Sequence, residues 1–180
     1  MSDSSFGRAS YKKNDYVSYR KNGVCQIADI TVQSFAGQGK KEYYELISVY
    51  DSNMKVFVPI GSELEKGMRD VPSVEEIHKL IEESVLLNDM WVDDCRARAA
   101  MFEEIVNSGD KVKLLWMIRR LTQHKNEMES GKKKVKANDS KYLSLAEGLI
   151  AGDFAFSLNL PRGGVIPYIK QYEASIELVK

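Results

Sequence analysis

The spacing of apolar residues along the chain changes character near Pro72. Before Pro72, short apolar runs alternate with polar residues, and turn-forming residues separate these runs at 22–23, 37–39 and 51–53. Side chains alternate along residues 54–58, which predicts that Phe57 faces away from the core. Four or five short strands are too few for a sandwich, so we expect a small closed or half-open β-barrel.

After Pro72 the apolar spacing follows the period of an α-helix. A capping box at residues 73–76 begins the first predicted helix, which is expected to run to about Leu87. A new N-cap at Asn88-Asp89 then predicts a second helix that ends near Gly109. Near four-residue spacing in that second helix is shown by Trp91, Cys95, Ala99, Phe102 and Val106.

Three further helices are predicted from cap and break signals. Asp110 is expected to cap the third, which ends at Gly131, and Asn138-Asp139 to cap the fourth. The fifth follows the break at 161–164, with Pro167 in its first turn. The predicted fold class is therefore α+β with two domains: a flexible tail at 1–10, a small β-barrel at 11–72, and an all-α bundle of about five helices at 73–180.

Composition fits an ordinary globular protein, because 43% of the residues are hydrophobic and 29% are charged. No apolar run is long enough to cross a bilayer, and no secretory signal opens the sequence. The two cysteines, Cys25 and Cys95, fall in different predicted domains without a CxxC pattern, so we expect idle thiols in a reducing cytoplasm rather than a disulfide or a metal site.

The net charge of zero hides an uneven distribution. Residues 73–110 carry 3 Lys or Arg against 10 Asp or Glu, a net charge of −7, whereas residues 111–142 carry 10 against 3, a net charge of +7. Charge counts alone favour two solvated faces that neutralise each other across the bundle. The alternative interpretation is a basic surface that binds phosphates.

Enzyme motifs are missing from the sequence. His78 and His124 are single histidines amid polar residues, and no nucleophile elbow, P-loop, zinc-protease motif or paired carboxylates occur. The turn at 37–39 is not followed by a predicted helix, so it does not suggest a phosphate cradle. We therefore expect a binding protein that is not an enzyme and needs no cofactor.

An ordered set of residues in the first region resembles the RNA-polymerase-interacting module of the CarD/CdnL family of bacterial transcription regulators, which also occurs in transcription-repair coupling factors. The residues that keep the family pattern are Tyr11, Asp15, Val17, Tyr19, Gly23, Val24, Ile27, Glu42, Tyr43, Tyr44, Val58, Pro59 and Arg69. The resemblance implies a Tudor-like barrel that docks on the polymerase β subunit through an exposed strand edge. By position, the implied polymerase contacts are Gln33, Phe35, Lys55 and Phe57.

The helical region resembles the same family more weakly. The residues that fit the family pattern are Trp91, Arg96, Arg98, Ser108-Gly109-Asp110 and Arg119-Arg120. Residues 131–161 and 166–169 resemble its clostridial-type branch. The resemblance implies that Trp91 is a wedge in the minor groove at the upstream edge of the transcription bubble. From periodicity alone, Trp91 is instead a core aromatic of the bundle, and Trp116 is assigned to the core in either case.

Basic residues of the helical region are the candidates for contact with the DNA backbone. No base-reading motif occurs, so weak binding to backbone and minor groove without sequence preference is expected. Acidic neighbours of Trp91 also argue against a broad basic footprint there. The candidates are Arg96, Arg98, Lys111, Lys113, Arg119, Arg120 and Lys132-Lys133-Lys134.

Together these patterns favour a cytoplasmic, nucleoid-associated transcription regulator. Its barrel would bind the polymerase β subunit, and its bundle would contact promoter DNA and modulate the stability of the open complex. The alternative is a Tudor- or SH3-like module that binds peptides or RNA and carries a helical dimerisation domain. The sequence leaves the oligomeric state and the direction of regulation open.

Overall fold

Five strands precede five α-helices in the computed structural model, which describes residues 10–35 and 39–177. The chain divides into two units, with the boundary between Val71 and Pro72. The α+β class with sheet first and helices second is confirmed. The predicted tail, apart from Ser10, and Gly37-Gln38 of the predicted turn lie outside the described residues.

The first unit is a five-stranded antiparallel sheet with the strand order β4-β3-β2-β1-β5. Among the described residues the edge strands β4 and β5 do not pair, so the barrel is not closed, and of the two expected forms, closed or half-open, the closed one is wrong. β5 is a short edge strand of three residues that pairs with β1. The strands are β1 Tyr16–Tyr19, β2 Val24–Gln33, β3 Lys41–Ser48, β4 Lys55–Pro59 and β5 Met68–Asp70.

One face of the sheet carries the core of this unit. Ile27, Tyr44 and Leu46 are fully buried there, and Val58 joins them from β4. The register of β2 against β3 shifts between Ile27 and Asp29, and such a bulge increases the local twist of a strand. Phe57 is paired with Glu45 on the opposite face, as the alternation along β4 predicted.

The hydroxyl of Tyr44 joins three parts of the first unit. It accepts hydrogen bonds from the backbone N–H groups of Ser10 at 2.8 Å and Tyr11 at 3.3 Å, and it donates to Glu65 Oε1 at 3.2 Å. Glu65 Oε2 in turn accepts from the N–H of Gly61 at 2.5 Å. A polar atom at the end of a buried ring thus fastens the segment before β1 and the connection after β4 to the sheet.

The second unit consists of α1 Val74–Leu86, α2 Cys95–Ser108, α3 Lys111–Ser130, α4 Ala137–Phe154 and α5 Arg162–Glu177. The predicted capping box of α1 is present, because Ser73 and Glu76 each accept from the other's backbone N–H. Asp110 caps α3 as predicted, and Gly131 follows its end. None of the helices in the described ranges is long and apolar enough to cross a membrane.

Three predicted helix boundaries were wrong. α2 begins at Cys95 and not near Asn88-Asp89, because the Asp94 carboxylate accepts from two N–H groups of the first turn and caps the helix there. Asp139 does not cap α4 but lies buried within it. α5 begins at Arg162, so Pro167 lies inside the helix and not in its first turn.

The core of the helical unit is continuous across the helices. Trp116 is 2% exposed, which confirms its assignment to the core, and it is joined by Phe102, Leu121 and Phe154. His78 fastens α1 to α5, because its Nε2 lies 2.7 Å from the Tyr168 hydroxyl and its ring stacks on Tyr172 at 4.1 Å.

Two glycines of this unit are expected to respond oppositely to substitution by alanine. Gly109 ends α2 at a φ of 64°, a left-handed conformation that costs alanine about 1 kcal/mol or more. Gly148 lies inside α4 with open space around an added Cβ, so Gly148→Ala should stabilise the protein by about 0.5–1 kcal/mol. Urea denaturation measures both changes, and a stabilising Gly109→Ala would contradict the assigned helix end.

Candidate functional site

An aromatic cluster covers the outer face of the sheet beside the edge strand β4. The Phe35 ring lies 5.1 Å from Tyr43 and 5.5 Å from Phe57, measured between ring centroids. Tyr43 is buried beneath these contacts, whereas Phe35 is 43% exposed. We call Phe35, Tyr43 and Phe57 the aromatic face. It offers an apolar surface whose rings are already ordered against one another.

The register brings the other two predicted polymerase contacts to this surface. Thr31 pairs with Tyr43, so Gln33, two residues further along β2, lies on the same face of the sheet. Lys55 precedes Phe57 by two residues on β4 and forms an ion pair with Glu45 at 2.7 Å. All four candidates therefore lie on one side of the sheet. Lys55 and Phe57 belong to β4, whose outer edge has no partner strand in the described part of the chain, whereas Gln33 lies on β2, with β3 between it and that edge.

Trp91 lies in the connection between α1 and α2, residues 87–94, and is half-buried. Two guanidinium groups lie over its ring, with the Cζ of Arg98 at 4.5 Å and that of Arg120 at 4.4 Å from the centroid. The His124 ring lies 4.6 Å away, and the indole N–H donates to Asp93 at 3.1 Å. We call Trp91, Arg98, Arg120 and His124 the tryptophan cage.

Arg98 links this cage to the rest of the bundle. Its Nε and Nη2 donate to the two carboxylate oxygens of Asp139 at 3.2 and 2.9 Å. Its Nη1 donates to the carbonyls of Val92 at 2.7 Å and Asp93 at 3.0 Å, and Nη2 also contacts the sulfur of Cys95 at 3.7 Å. Each of the five N–H donors of the guanidinium therefore has a partner.

Burial makes these bonds matter more than surface ion pairs do. Arg98 is 3% exposed and Asp139 is 4% exposed. The hydrogen bonds that Arg98 donates to Asp139 raise the pKa of Arg98 above its ordinary value, although burial opposes the shift. Arg98 was expected to contact DNA; a buried guanidinium with all its donors used does not reach a phosphate, so the structure corrects that expectation.

Other predicted DNA contacts are engaged within the chain. Lys111 pairs with Asp153 at 3.2 Å, Arg119 with Glu173 at 3.4 Å, and Arg120 with Asp89 at 3.6 Å. Of these three pairs, only Arg120–Asp89 joins the acidic stretch 73–110 to the basic stretch 111–142, because Asp153 and Glu173 lie outside both. The predicted cations that remain on exposed positions are Arg96, Lys113, Lys132, Lys133 and Lys134.

Two residues of the cage region were not anticipated. His124 was noted only as a single histidine amid polar residues, yet it lies against Trp91 and 3.9 Å from Asp139. Asp139 was interpreted as a helix cap, although the N-cap position is Lys136. Nothing local in the sequence marks Asp139 as the partner of an arginine 41 residues away.

Comparison with known proteins addresses the first unit. Residues 11–71 match the family model described as the CarD-like/TRCF RID domain. The search of curated proteins found no match to the chain. The first unit is thus similar to the CarD-like/TRCF RID domain over about a third of the chain, which indicates a transcription-related protein that interacts with RNA polymerase. Among the described residues, no group of three or more His, Cys, Asp or Glu is placed to hold a metal ion.

The buried pair predicts a large effect of Asp139→Ala. Removing the carboxylate leaves the Arg98 guanidinium buried without compensation, which should cost about 3–5 kcal/mol of unfolding free energy. The tryptophan cage should loosen as well, so tryptophan emission should move towards that of a solvated indole.

Glu129→Ala is the matched control, because it removes the partner of Lys125 where both side chains are about half exposed, and it should cost about 1 kcal/mol or less. Urea denaturation and the fluorescence spectrum check both variants. Equal losses from the two substitutions would contradict the special role of the buried pair.

Proposed function

We propose that the protein is a transcription regulator of the CarD/CdnL type, with its helical unit of the clostridial-type branch. In this proposal the sheet unit is a Tudor-like domain that binds the β subunit of RNA polymerase. The helical unit contacts promoter DNA at the upstream edge of the bubble and modulates the stability of the open complex. The protein would act in the cytoplasm, on the nucleoid, without enzymatic activity or cofactor.

One observation carries the polymerase half of the proposal. The four residues aligned with the family's contacts, Gln33, Phe35, Lys55 and Phe57, share one face of the sheet, and Lys55 and Phe57 lie on the edge strand β4 itself. Phe35 and Phe57 are 22 residues apart in the sequence, and they meet on one surface because β2 and β4 flank β3 in this register. The sheet unit also matches the model of the CarD-like/TRCF RID domain, a family that interacts with RNA polymerase.

Strand addition at β4 explains how such a surface binds. A partner strand laid along β4 would take up its unpaired backbone N–H and C=O groups, and main-chain hydrogen bonds of this kind supply affinity. Val56 and Val58 face the core, so selectivity falls to the alternate side chains Lys55 and Phe57. Pro59 has no N–H to donate, which limits the added pairing at the end of β4.

Support for the DNA half comes from the tryptophan cage. Trp91 lies in a connection between helices, not within one, so its half-buried ring keeps part of its surface for a partner. The guanidinium groups of Arg98 and Arg120 pack against the Trp91 ring and fix its orientation. Because the ring is already ordered, it would lose little conformational entropy on inserting at a distorted base step. Arg96, Lys113, Lys132 and Lys133 are exposed cations available to phosphates.

The expected affinity for DNA alone is low. Lys111, Arg119 and Arg120 are engaged by carboxylates of the chain, which leaves only a few cations to release counterions from DNA. We therefore propose that polymerase binding delivers the helical unit to the promoter, and that backbone and minor-groove contacts add to this anchoring without reading sequence.

Phe57→Asp is expected to weaken capture of the polymerase β subunit by at least tenfold. The substitution places a charge in the aromatic face, and burying it against a partner would be costly. A pull-down of purified polymerase by the full chain measures the effect. The same pull-down distinguishes the proposal from a peptide- or RNA-binding module, which would not retain polymerase.

Tyr16→Asp provides the matched control for this measurement. Tyr16 is 41% exposed and lies on β1, three strands away from β4, so its substitution should leave polymerase capture unchanged. Equal weakening by Tyr16→Asp and Phe57→Asp, or full capture by Phe57→Asp, would place the docking surface elsewhere.

Trp91→Ala is expected to shorten the lifetime of the open complex while polymerase capture persists. Because the ring is half-buried, its loss should cost about 1–3 kcal/mol of stability. Lifetime is measured at a promoter with an unstable bubble. Ile150→Val, a core change expected to cost about 0.5–1.5 kcal/mol, controls for general destabilisation, and an equal loss of lifetime in that variant would refute the wedge.

A further inference from the structure

The two thiols of the chain lie in opposite environments. Cys25, on β2, is fully buried, and burial raises the pKa of its thiol to about 11. Cys95 is partly exposed and is the first residue of α2. Both had been expected to be idle, and the structure supports that expectation only for Cys25.

Cations surround the sulfur of Cys95. The Lys136 ammonium is in direct contact with Sγ, and the Nη2 of Arg98 lies 3.7 Å from it. The hydrogen bond from Lys136 is the largest cause that lowers the pKa of Cys95, and Arg98 adds to the effect. A partly exposed thiol held by cations at a helix N-terminus is the environment in which the reactive thiolate accumulates.

Lys136 supplies a second reactive group at the same place. It immediately precedes α4, on an exposed position, and its amine nitrogen touches the sulfur. A surface lysine usually only neutralises a nearby charge. Here the amine is in contact with a nucleophilic sulfur, and both groups can be reached from solvent, so they can react with each other. Oxidation of the sulfur would turn this ion pair into a nucleophile facing an electrophile.

We propose that Cys95 and Lys136 are a peroxide-responsive pair that closes a reversible sulfur–nitrogen crosslink between α2 and the start of α4. The inference goes beyond transcription regulation and does not depend on it, because it concerns only the chemistry of the isolated chain.

The chemistry balances with hydrogen peroxide as the oxidant. The Cys95 thiolate attacks one peroxide oxygen, the O–O bond breaks, and sulfenic acid and hydroxide result. The ammonium of Lys136, which has lost its anionic partner, gives a proton to the hydroxide, which becomes water. Its amine attacks the sulfur, the S–O bond breaks, water leaves, and a sulfenamide remains. Overall, one thiol, one amine and one peroxide give one S–N bond and two waters, and a dithiol reverses the reaction.

The position of the crosslink connects it with the tryptophan cage. Arg98 contacts the Cys95 sulfur and Asp139, which lies three residues after Lys136 on the same side of the bundle. A bond between residues 41 positions apart restricts the unfolded chain, so the oxidised protein should melt at a higher temperature than the reduced one.

Mass spectrometry of the full chain tests the proposal. The protein is treated with hydrogen peroxide, remaining thiols are blocked with iodoacetamide, and a glutamate-specific protease releases the segments that contain residues 95 and 136. We expect one linked species, two hydrogens lighter than the sum of its two peptides, which disappears after treatment with a dithiol. The melting temperature should rise on oxidation and return on reduction.

Variants separate the crosslink from simple oxidation. Lys136→Arg keeps a cation beside the sulfur but removes the nucleophilic amine, so oxidised Cys95 should be trapped by dimedone as sulfenic acid and no linked species should form. Cys25→Ala should crosslink like the original chain. The proposal is overturned if the original chain gives no linked species, if Lys136→Arg still forms it, or if Cys25 is oxidised as readily as Cys95.

Discussion

A buried ion pair between Arg98 and Asp139 holds the connection that carries Trp91 in place. Burying two charges is costly unless geometry and further hydrogen bonds compensate for lost hydration. Here the guanidinium meets both carboxylate oxygens, and its remaining donors bind two carbonyls and a sulfur. Residues 87–94 are not helical, and hydrogen bonds from Arg98 of the next helix to the carbonyls of Val92 and Asp93 take the place of helical ones. These hydrogen bonds, and not a helix, position Trp91.

The two units offer partners different physical means of recognition. The edge of β4 presents backbone groups, which bind any extended strand, and the aromatic face beside it narrows the choice. The tryptophan cage presents the Trp91 side chain, whose orientation is fixed by the two arginine cations packed over its ring. Under the proposed function, the first unit would supply most of the affinity and the second a weaker contact.

Periodicity in the sequence predicted the elements well where local rules decide them. The alternation along β4 placed Phe57 correctly, and Asp110 and Ser73 were recognised as caps. Prediction failed where one residue type serves two purposes. An aspartate near a helix start can cap it, as Asp94 does, or turn inward to an arginine, as Asp139 does.

Contacts between distant residues set the remaining limits. The choice between cap and buried ion pair depends on a residue 41 positions away, which no local pattern records. The aromatic face was hidden for a similar reason. Phe35 lies beyond the end of β2, where alternation no longer indicates direction, and it folds over Tyr43. The open sheet, likewise, follows from the pairing partner of β5 and not from the number of strands.

The hydroxyl of Tyr44 bears on where the first domain can be cut. It accepts from the N–H groups of Ser10 and Tyr11, and the family match begins at residue 11. A fragment excised at the family boundary turns the amide of Tyr11 into a charged terminus and discards that of Ser10. The stable domain thus begins at least one residue before the family match. Proteolytic removal of Ser10 would take a hydrogen bond from the buried Tyr44 side chain, although the cleavage site itself lies outside the sheet.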